Sequence, residues 1–556
     1  MYGRCTVLGA TLRGVEAIPV DVEVAVSNGL PGFSIVGMGD ASVQEARERV
    51  RAALRSSGFQ MPSDKIVVNL APSSLRKTGS GLDLPIAVAL LAATGQIDRA
   101  CIENRLFVGE LSLEGFVRGV AGSLAFALCA KKRGCSLVCA EDGETVSVDG
   151  LAQYGLRFLG GMRAAADLPL LSPLVPESAA CDFDFRDVAG HEVAKRALQI
   201  AAAGRHGVLM MGPPGSGKTM LASRLPSLLP PLSREEALET ALIHSVAGES
   251  IMSILSGVRP FRKPHHSASL AGLVGGGSPI RPGEITLAHN GVLFLDELSE
   301  FKSSVLQGIR QPMETGEVRL TRADGTVTFP ARFMLVAASN PCPCGHLGDE
   351  ETACTCTLTQ VKNYQGRIGG PLMDRIDLHL DVQRIPPSDV IATGSGTSSE
   401  TLREGVLKAR EFARWRSLHD AGARVSASVS PDEATSGGSA ASGPRRPADL
   451  VRDCHLSESS REFFEQSAKA HNMSGRAIMR TLSVARTIAD MEESHEVLMT
   501  HLCEALSFRV REGVGVWARR LRRPRCSLGL NRSSSGGAKT TPSAFCGAVL
   551  LPIACT

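Results

Sequence analysis

No apolar run in this chain of 556 residues approaches the ~20 needed to cross a bilayer, so no membrane span is expected. The opening Met1-Tyr2-Gly3-Arg4-Cys5 leads into no signal-peptide core, and a cytoplasmic protein is the expectation. Charge of one sign is not in excess. Lys and Arg number 60 against 57 Asp and Glu, a formal +3, so any basic surface must be local. A disulfide framework is missing as well: fifteen cysteines, an odd number scattered over a large chain, fit a reducing compartment. What remains is ordinary for a globular protein, 43% hydrophobic and 21% charged. More than one domain is expected, because single cores stop growing beyond ~250–300 residues.

One stretch dominates what is present. Gly212-Pro213-Pro214-Gly215-Ser216-Gly217-Lys218-Thr219 fits G-x-x-x-x-G-K-[ST] at every position. The apolar run Val208-Leu209-Met210-Met211 precedes it like a buried strand, and Met220-Leu221-Ala222 opens a helical pattern after it. Glycines let such a backbone wrap phosphates, with N–H groups and a helix N-terminus facing the negative charge. Lys218 is expected at the β- and γ-phosphates and Thr219 on Mg²⁺. The second half follows in Gly291-Val292-Leu293-Phe294-Leu295-Asp296-Glu297, an apolar strand with two carboxylates at its C-terminal end. There Asp296 would hold Mg²⁺, and Glu297 would act as general base on water. A third strand, Arg332 to Ala338, ends in Ser339-Asn340; Asn340 is the candidate to orient that water or sense the γ-phosphate.

Around this core, residues 1–165 form a block of their own. Ile18 to Val26 alternates at period two, and Ala41 to Ser57 carries Val43, Ala46, Val50 and Leu54 on one helical face. A second strand, Lys65 to Leu70, and a helix from Ile86 to Thr94 follow. Pro169, Pro173 and Pro176 mark 166–182 as a linker. Residues 183–390 hold the nucleotide motifs. Residues 391–446 combine a helical Ser399 to His419 with a Gly- and Ser-rich linker, and 447–511 are helical, with Ile478, Leu482, Ala485 and Ile488 on one face. Cys342, Cys344, Cys354 and Cys356, two C-x-C pairs, can form a tetrahedral zinc site; His346 can replace one thiol, and free thiols are the competing reading.

The order of phosphate loop, acidic strand end and polar strand end describes an AAA+ ATPase, an α/β core on a parallel sheet, here within an α/β multidomain chain. The amino-terminal block resembles that of the ComM/YifB family, related in fold to the α+β, S5-like proteolytic domain of Lon. Lon's nucleophile lies in K-D-G-P-S-A-G; aligning Lys77 and Gly79 with it puts Gly81 at the nucleophile. Lon's G-E-V-T-L-x-G is matched by Gly109-Glu110-Leu111-Ser112-Leu113-Glu114-Gly115, and its partner lysine falls on Phe126, so no protease is expected. Two insertions resemble the helix-two insert and pre-sensor hairpin of the clade of magnesium chelatase and the MCM helicases. They are the Gly/Pro-rich excursion from Pro260 to Glu284 and the Asp-Gly hairpin from Glu317 to Phe329. In that clade these loops face a central pore, which implies that Arg262, Lys263, Arg319 and Arg322 meet a phosphate backbone.

Gly370-Pro371-Leu372-Met373-Asp374-Arg375-Ile376-Asp377 resembles the family's G-P-L-L-D-R-I-D, which implies that Arg375 is the arginine finger, with Arg367 a second candidate. Ser474-Gly475-Arg476-Ala477 resembles S-A-R-A at the start of the helical lid, implying a sensor-two role for Arg476. The resemblance implies a hexameric ring that spends ATP on DNA remodelling, branch migration in recombination and natural transformation included. A metal-insertion ATPase of the magnesium-chelatase type is the rival reading, and a non-hydrolysing scaffold a third. From Gly513 to Thr556 there is no Asp or Glu, and Arg519, Arg520, Arg522, Arg523 and Arg525 cluster. That tail, 512–556, is expected to be disordered and is assigned no function.

Overall fold

The computed structural model describes residues 3–173, 183–277, 280–322, 325–349, 351–386, 388, 396–427 and 447–509. The chain divides into Met1–Arg511 and Glu512–Thr556. Most of the expected linkers, Asp324 of the hairpin turn, Arg511 and the basic tail lie outside the described residues.

The amino-terminal block is built on a seven-stranded mixed sheet. Its strands are β1 (Gly3–Arg13), β2 (Glu16–Ser27), β3 (Gly32–Val36), β4 (Lys65–Ala71), β5 (Arg105–Phe107), then, beyond a small hairpin of β6 (Glu110–Leu111) and β7 (Val117–Arg118), β8 (Ser136–Ala140) and β9 (Gln153–Leu156). They lie in the order β3-β4-β2-β1-β5-β8-β9. Alternation decides which face is inside: Val20, Val22, Val24 and Val26 are buried while Asp21 and Glu23 face water. The helix Ala41–Ser56 buries Val43, Ala46, Val50, Ala53 and Leu54, and the helix Asp83–Ala93 is buried on every side. The expected linker starts later than its prolines suggest. Gly155 donates to the Pro169 carbonyl at 2.9 Å and Leu171 to that of Gln153 at 2.8 Å. A proline cannot donate but still accepts, so this segment covers the open edge of β9.

The second sheet is parallel throughout. Its strands are β10 (Val208–Met211), β11 (Phe261–Arg262), β14 (Val292–Leu295), β17 (Met334–Ser339) and β18 (Leu378–Asp381), in the order β11-β14-β17-β10-β18. Every residue of β10, β14 and β17 is buried, as expected for strands covered by helices on both faces. Beside the sheet stand two hairpins, β12 (Gly275–Gly276) with β13 (Arg281–Pro282) and β15 (Glu317–Arg322) with β16 (Gly325–Pro330).

The helices Ser399–Ala427, Pro447–Asp453, Glu458–Ala470, Gly475–Met491 and Met499–Ser507 finish the described chain. They are not a separate lid in packing terms. Leu402, Val406, Leu482, Ala485, Ile488 and Leu502 share one core with Val208, Val292 and Leu378 of the sheet. The amino-terminal block is joined to the parallel-sheet core through the helix Arg234–Ala247. Ser245 accepts from Gly122 N–H at 2.7 Å and, through Oγ, from Leu124 N–H at 3.1 Å, while Leu124 and Val146 pack with Ala237, Ala241 and Ile254. Among the described residues no helix is long and apolar enough to cross a membrane.

Candidate functional site

The carboxyl ends of β10, β14 and β17 meet, and the candidate residues are the loops that leave them. After β10 the chain turns through Gly215 and Gly217, both left-handed at φ +78° and +82°, into the helix Lys218–Arg224. Gly212 is demanded by a close approach: a side-chain carbon there would lie 2.0 Å from the Val382 carbonyl oxygen. Lys218 Nζ curls over the loop, donating to the carbonyls of Gly212 (2.9 Å) and Pro213 (2.8 Å), with Asn340 Oδ1 3.4 Å away. Burial lowers the Lys218 pKa, and the Asp296 charge opposes that shift. An ammonium held by neutral oxygens, those carbonyls and the Ser216 hydroxyl at 3.3 Å, beside N–H groups at a helix start, is a site built for an anion.

At the end of β14, Asp296 Oδ2 accepts from Thr219 Oγ1 at 2.9 Å and lies 3.0 Å from Lys263 Nζ. This hydroxyl and carboxylate are the hard oxygen donors that a Mg²⁺ ion takes. Glu297 follows in a left-handed conformation, φ +52°. For a glutamate this costs about 1–3 kcal/mol, and such strain clusters at functional sites. His266 Nδ1 stands 3.3 Å from Glu297 Oε2, with the His265 ring tilted against His266 at 4.1 Å between centroids. Nothing in the sequence around Pro264 marks His266 as a partner of Glu297; only the fold brings them together.

Lys263 and His266 reach this site because β11 pairs in parallel with β14, so the chain leaving β11 emerges beside the two carboxylates. That placement differs from the pore-facing expectation for Arg262 and Lys263. Arg262 is gripped by Glu284 (2.7 and 3.0 Å) and Glu249 (3.0 Å), and Lys263 lies on Asp296 and over the Phe294 ring. The other expected pair is on the hairpin β15–β16. Arg319 is exposed and bonded to Glu317 at 3.0 Å. Arg322 lines a cleft of about 770 Å³ between hairpin and amino-terminal sheet, together with Arg13, Arg76 and Arg281. Gly81 and Phe126, the positions that match Lon's dyad, line the same cleft. Lys77 lies buried beneath it, its Nζ held by the carbonyls of Leu70 (2.8 Å) and Pro72.

Arg375 and Arg476 are brought to one place. Arg375 Nη2 lies 2.8 Å and Arg476 Nη2 3.1 Å from the same oxygen, Oε1 of Glu314. Neither neighbouring aspartate of the 370–377 segment takes Arg375. Asp377 is buried and occupied by Gly207 N–H (2.9 Å) and Arg480 (3.0 Å). Arg367 lies 3.8 Å from Glu300 and over the Tyr364 ring. Glu314 was invisible to sequence reading: a glutamate near the end of a helix is ordinary until two cations converge on it.

Beyond Asn340 the four cysteines come together, with all four Sγ atoms within 4.8 Å of one another. Cys342–Cys344, Cys342–Cys354 and Cys344–Cys354 are 3.3, 3.6 and 3.5 Å apart. These separations are far from the ~2.05 Å of a disulfide and close to the ~3.8 Å edge of a tetrahedron with 2.3 Å arms. Burial pushes the Cys342 and Cys354 thiols up. Burial works the same way on Cys344, but hydrogen bonds from the N–H groups of His346 and Thr355 and from the Cys342 and Cys356 thiols together bring that thiol down to about 5. Four thiols so placed fit a zinc ion. His346 is not among them; its Nδ1 is 3.0 Å from Asp349 Oδ2. The cysteine loop also touches the phosphate loop, since a side-chain carbon at Gly345 would lie 2.6 Å from Pro214 Cδ.

Comparison with known proteins covers the chain in three parts. Residues 22–142 match the family described as subunit ChlI of Mg-chelatase, 184–390 match magnesium chelatase, subunit ChlI, and 396–509 match its C-terminal part. The chain is 42% identical to the YifB protein of Salmonella typhimurium over 509 residues, 89% of this chain and 95% of that one. It is equally 42% identical, over 508 residues with the same shares, to the competence protein ComM of Haemophilus influenzae. A magnesium-chelatase 67 kDa subunit of Heliobacterium mobile is 29% identical over 222 residues, 35% of this chain and 30% of that one.

Proposed function

The chain belongs to the ComM/YifB family of magnesium-chelatase-like proteins, and from that membership we propose that it is an ATP-hydrolysing AAA+ motor that binds and remodels DNA. The observation that carries the reading is the convergence of Lys218, Thr219, Asp296, Glu297 and Asn340 at the carboxyl ends of three adjacent parallel strands. The loop Gly212–Thr219 holds the triphosphate. Thr219 and Asp296 hold Mg²⁺, which supplies charge neutralisation at the β- and γ-phosphates. Glu297 takes a proton from the attacking water, with His266 positioning its carboxylate, and Asn340 orients that water.

Arg375 and Arg476 serve a neighbouring subunit. Both are held by Glu314, which lines an open cleft of about 600 Å³. A neighbour's γ-phosphate entering there would replace the carboxylate as their anion. A site completed across subunits supports a ring, and a hexamer is the proposal. The DNA path runs along Arg319 and Arg322, with Arg13 and Arg281 lining the same cleft as Arg322; branch migration during recombination and transformation is the proposed task. The amino-terminal block, Lon-like by the match of its segments, acts as platform and not as a peptidase. A metal-insertion motor is less well supported, because the magnesium-chelatase 67 kDa subunit of Heliobacterium mobile matches 35% of the chain, whereas the ComM and YifB proteins match 89%.

Glu297→Gln is the direct test. Nucleotide binding should persist while turnover falls at least ~10²-fold, the usual worth of a general base. ATPase assays with and without forked DNA and four-way junctions test the substrate. No stimulation by any DNA, in protein that hydrolyses ATP, would leave the motor and remove its proposed track.

A further inference from the structure

Far along the chain from the nucleotide residues, three side chains from three elements converge. Asp420 lies on the helix Ser399–Ala427, His455 just past the helix Pro447–Asp453, and His495 just past the helix Gly475–Met491. One ligand atom from each lies within 4.8 Å of the others. Both histidines present Nε2 to the carboxylate and each takes a different oxygen. His495 is 3.4 Å from Oδ1 and His455 3.6 Å from Oδ2, with the imidazole centroids 4.4 Å apart and the rings tilted by 31°. We propose that Asp420, His455 and His495 form a binding site for a divalent transition-metal ion of the zinc class, distinct from the four-cysteine cluster.

Distances favour an ion over direct hydrogen bonds. An N–H···O bond is about 2.7–3.2 Å long, and these contacts exceed it. The edge of a tetrahedron with ~2.05 Å arms to nitrogen and oxygen is about 3.3 Å, close to both. Asp420 Oδ2 is buried and receives no hydrogen bond, an expensive state for a carboxylate unless a cation takes that lone pair. The close approach of the two rings points the same way, because two imidazolium ions at a 4.4 Å centroid separation repel, whereas two neutral imidazoles can share one cation.

The nearest fixed charge is Arg416, 3.8 Å from Asp420 Oδ2. Its Nε and Nη2 are committed to Asp490 at 3.0 and 3.1 Å, while Nη1, the nitrogen facing Asp420, is buried without a hydrogen bond and stands too far from Oδ2 to donate one. The ligands are held from behind as well: Arg486 donates to the His495 carbonyl at 2.7 Å, and His455 N–H to the Arg452 carbonyl at 3.1 Å. Two imidazoles and a carboxylate suit zinc and its neighbours over Mg²⁺ or Ca²⁺. His455 and His495 are partly exposed, so water can complete the fourth position. Such an ion would fasten the long helix Ser399–Ala427 to two loops of the carboxyl-terminal helices.

The test uses the full chain, stripped of metal and titrated with Zn²⁺. Cys354→Ser with Cys356→Ser removes the thiol cluster, and this variant should still bind one equivalent of Zn²⁺ saturably. Adding His455→Ala and His495→Ala should weaken that binding at least tenfold. No saturable equivalent in the folded cysteine variant, or an equivalent indifferent to the histidines, overturns the site. Should the cysteine variant fail to fold, Co²⁺ titration of the otherwise unaltered chain decides. The spectrum lost on His455→Ala/His495→Ala should contain visible ligand-field bands without a thiolate charge-transfer band. Superimposable spectra overturn the proposal.

Discussion

Replacing Glu314 by Gln should make the protein a better ATPase at limiting concentration. In the structure one oxygen of Glu314 holds both Arg375 and Arg476, at 2.8 and 3.1 Å. Those arginines must leave it to meet a neighbour's phosphate. The pair contacts are partly solvated, with Glu314 41% and Arg476 49% exposed against 12% for Arg375, so each contributes about 0.2–1 kcal/mol. Releasing both therefore costs about 0.4–2 kcal/mol, a factor of about 2–30 in the equilibrium for productive assembly. Gln keeps the shape and removes the charge. Steady-state ATPase measured against protein concentration should reach half-maximum at about 2–30-fold lower protein for Glu314→Gln. The difference should shrink at high salt, because exposed pairs are screened. The same substitution in an Arg375→Ala background should do nothing. A half-maximum that stays put or moves upward, in a variant with unchanged melting temperature, refutes the competition.

Other consequences are more direct. Lys263→Met removes the ammonium 3.0 Å from Asp296, and half-saturation by Mg²⁺ should fall about two- to fivefold, as for loss of an exposed competing charge; an unchanged or higher Mg²⁺ requirement would show that Lys263 does not compete for that oxygen. Arg322→Ala with Arg281→Ala should weaken DNA binding and flatten its log–log salt dependence by about 0.7–0.9 per lost phosphate contact, and an unaltered slope places both away from DNA. Mixing Arg375→Ala with Glu297→Gln protein should restore part of the ATPase activity that each lacks, since one supplies the base and the other the finger; no recovery at any ratio, with both assembling, removes the shared site. Gly345→Ala should lower ATPase activity without touching any nucleotide residue, because its methyl would press on Pro214, and full activity would show that the cysteine loop moves freely of the phosphate loop.

Local chemistry was enough for the parts of the protein whose signal lies in consecutive residues. A glycine-rich loop between an apolar run and a helix, and an apolar strand ending in Asp296-Glu297, state their geometry because each motif is completed within eight residues. The period-two run in β2 and the helical face from Val43 to Leu54 are legible for the same reason, since one buried side is enough to set the period. The paired C-x-C segments also carry their own spacing, and the fold brings all four thiols together.

What the sequence could not disclose depends on strand order and on partners far apart in the chain. Arg262 and Lys263 read as loop charges, yet β11 lies beside β14, and that adjacency carries Lys263 to Asp296 and His266 to Glu297. The helices after 399 read as a lid on a linker, but their apolar faces merge with the core of the parallel sheet. Glu314 acquires meaning only when Arg375 and Arg476, 61 and 162 positions later, arrive at the same oxygen. Asp420, His455 and His495 share no motif at all. The sequence by itself determined the glycine-rich loop, the acidic strand end and their local scaffolding, because backbone geometry and periodicity act over a few residues. Tertiary structure alone decided which charges share a partner, which side chain stands beside Glu297 and that Asp420, His455 and His495 meet, because those depend on contacts between elements that the chain does not place side by side.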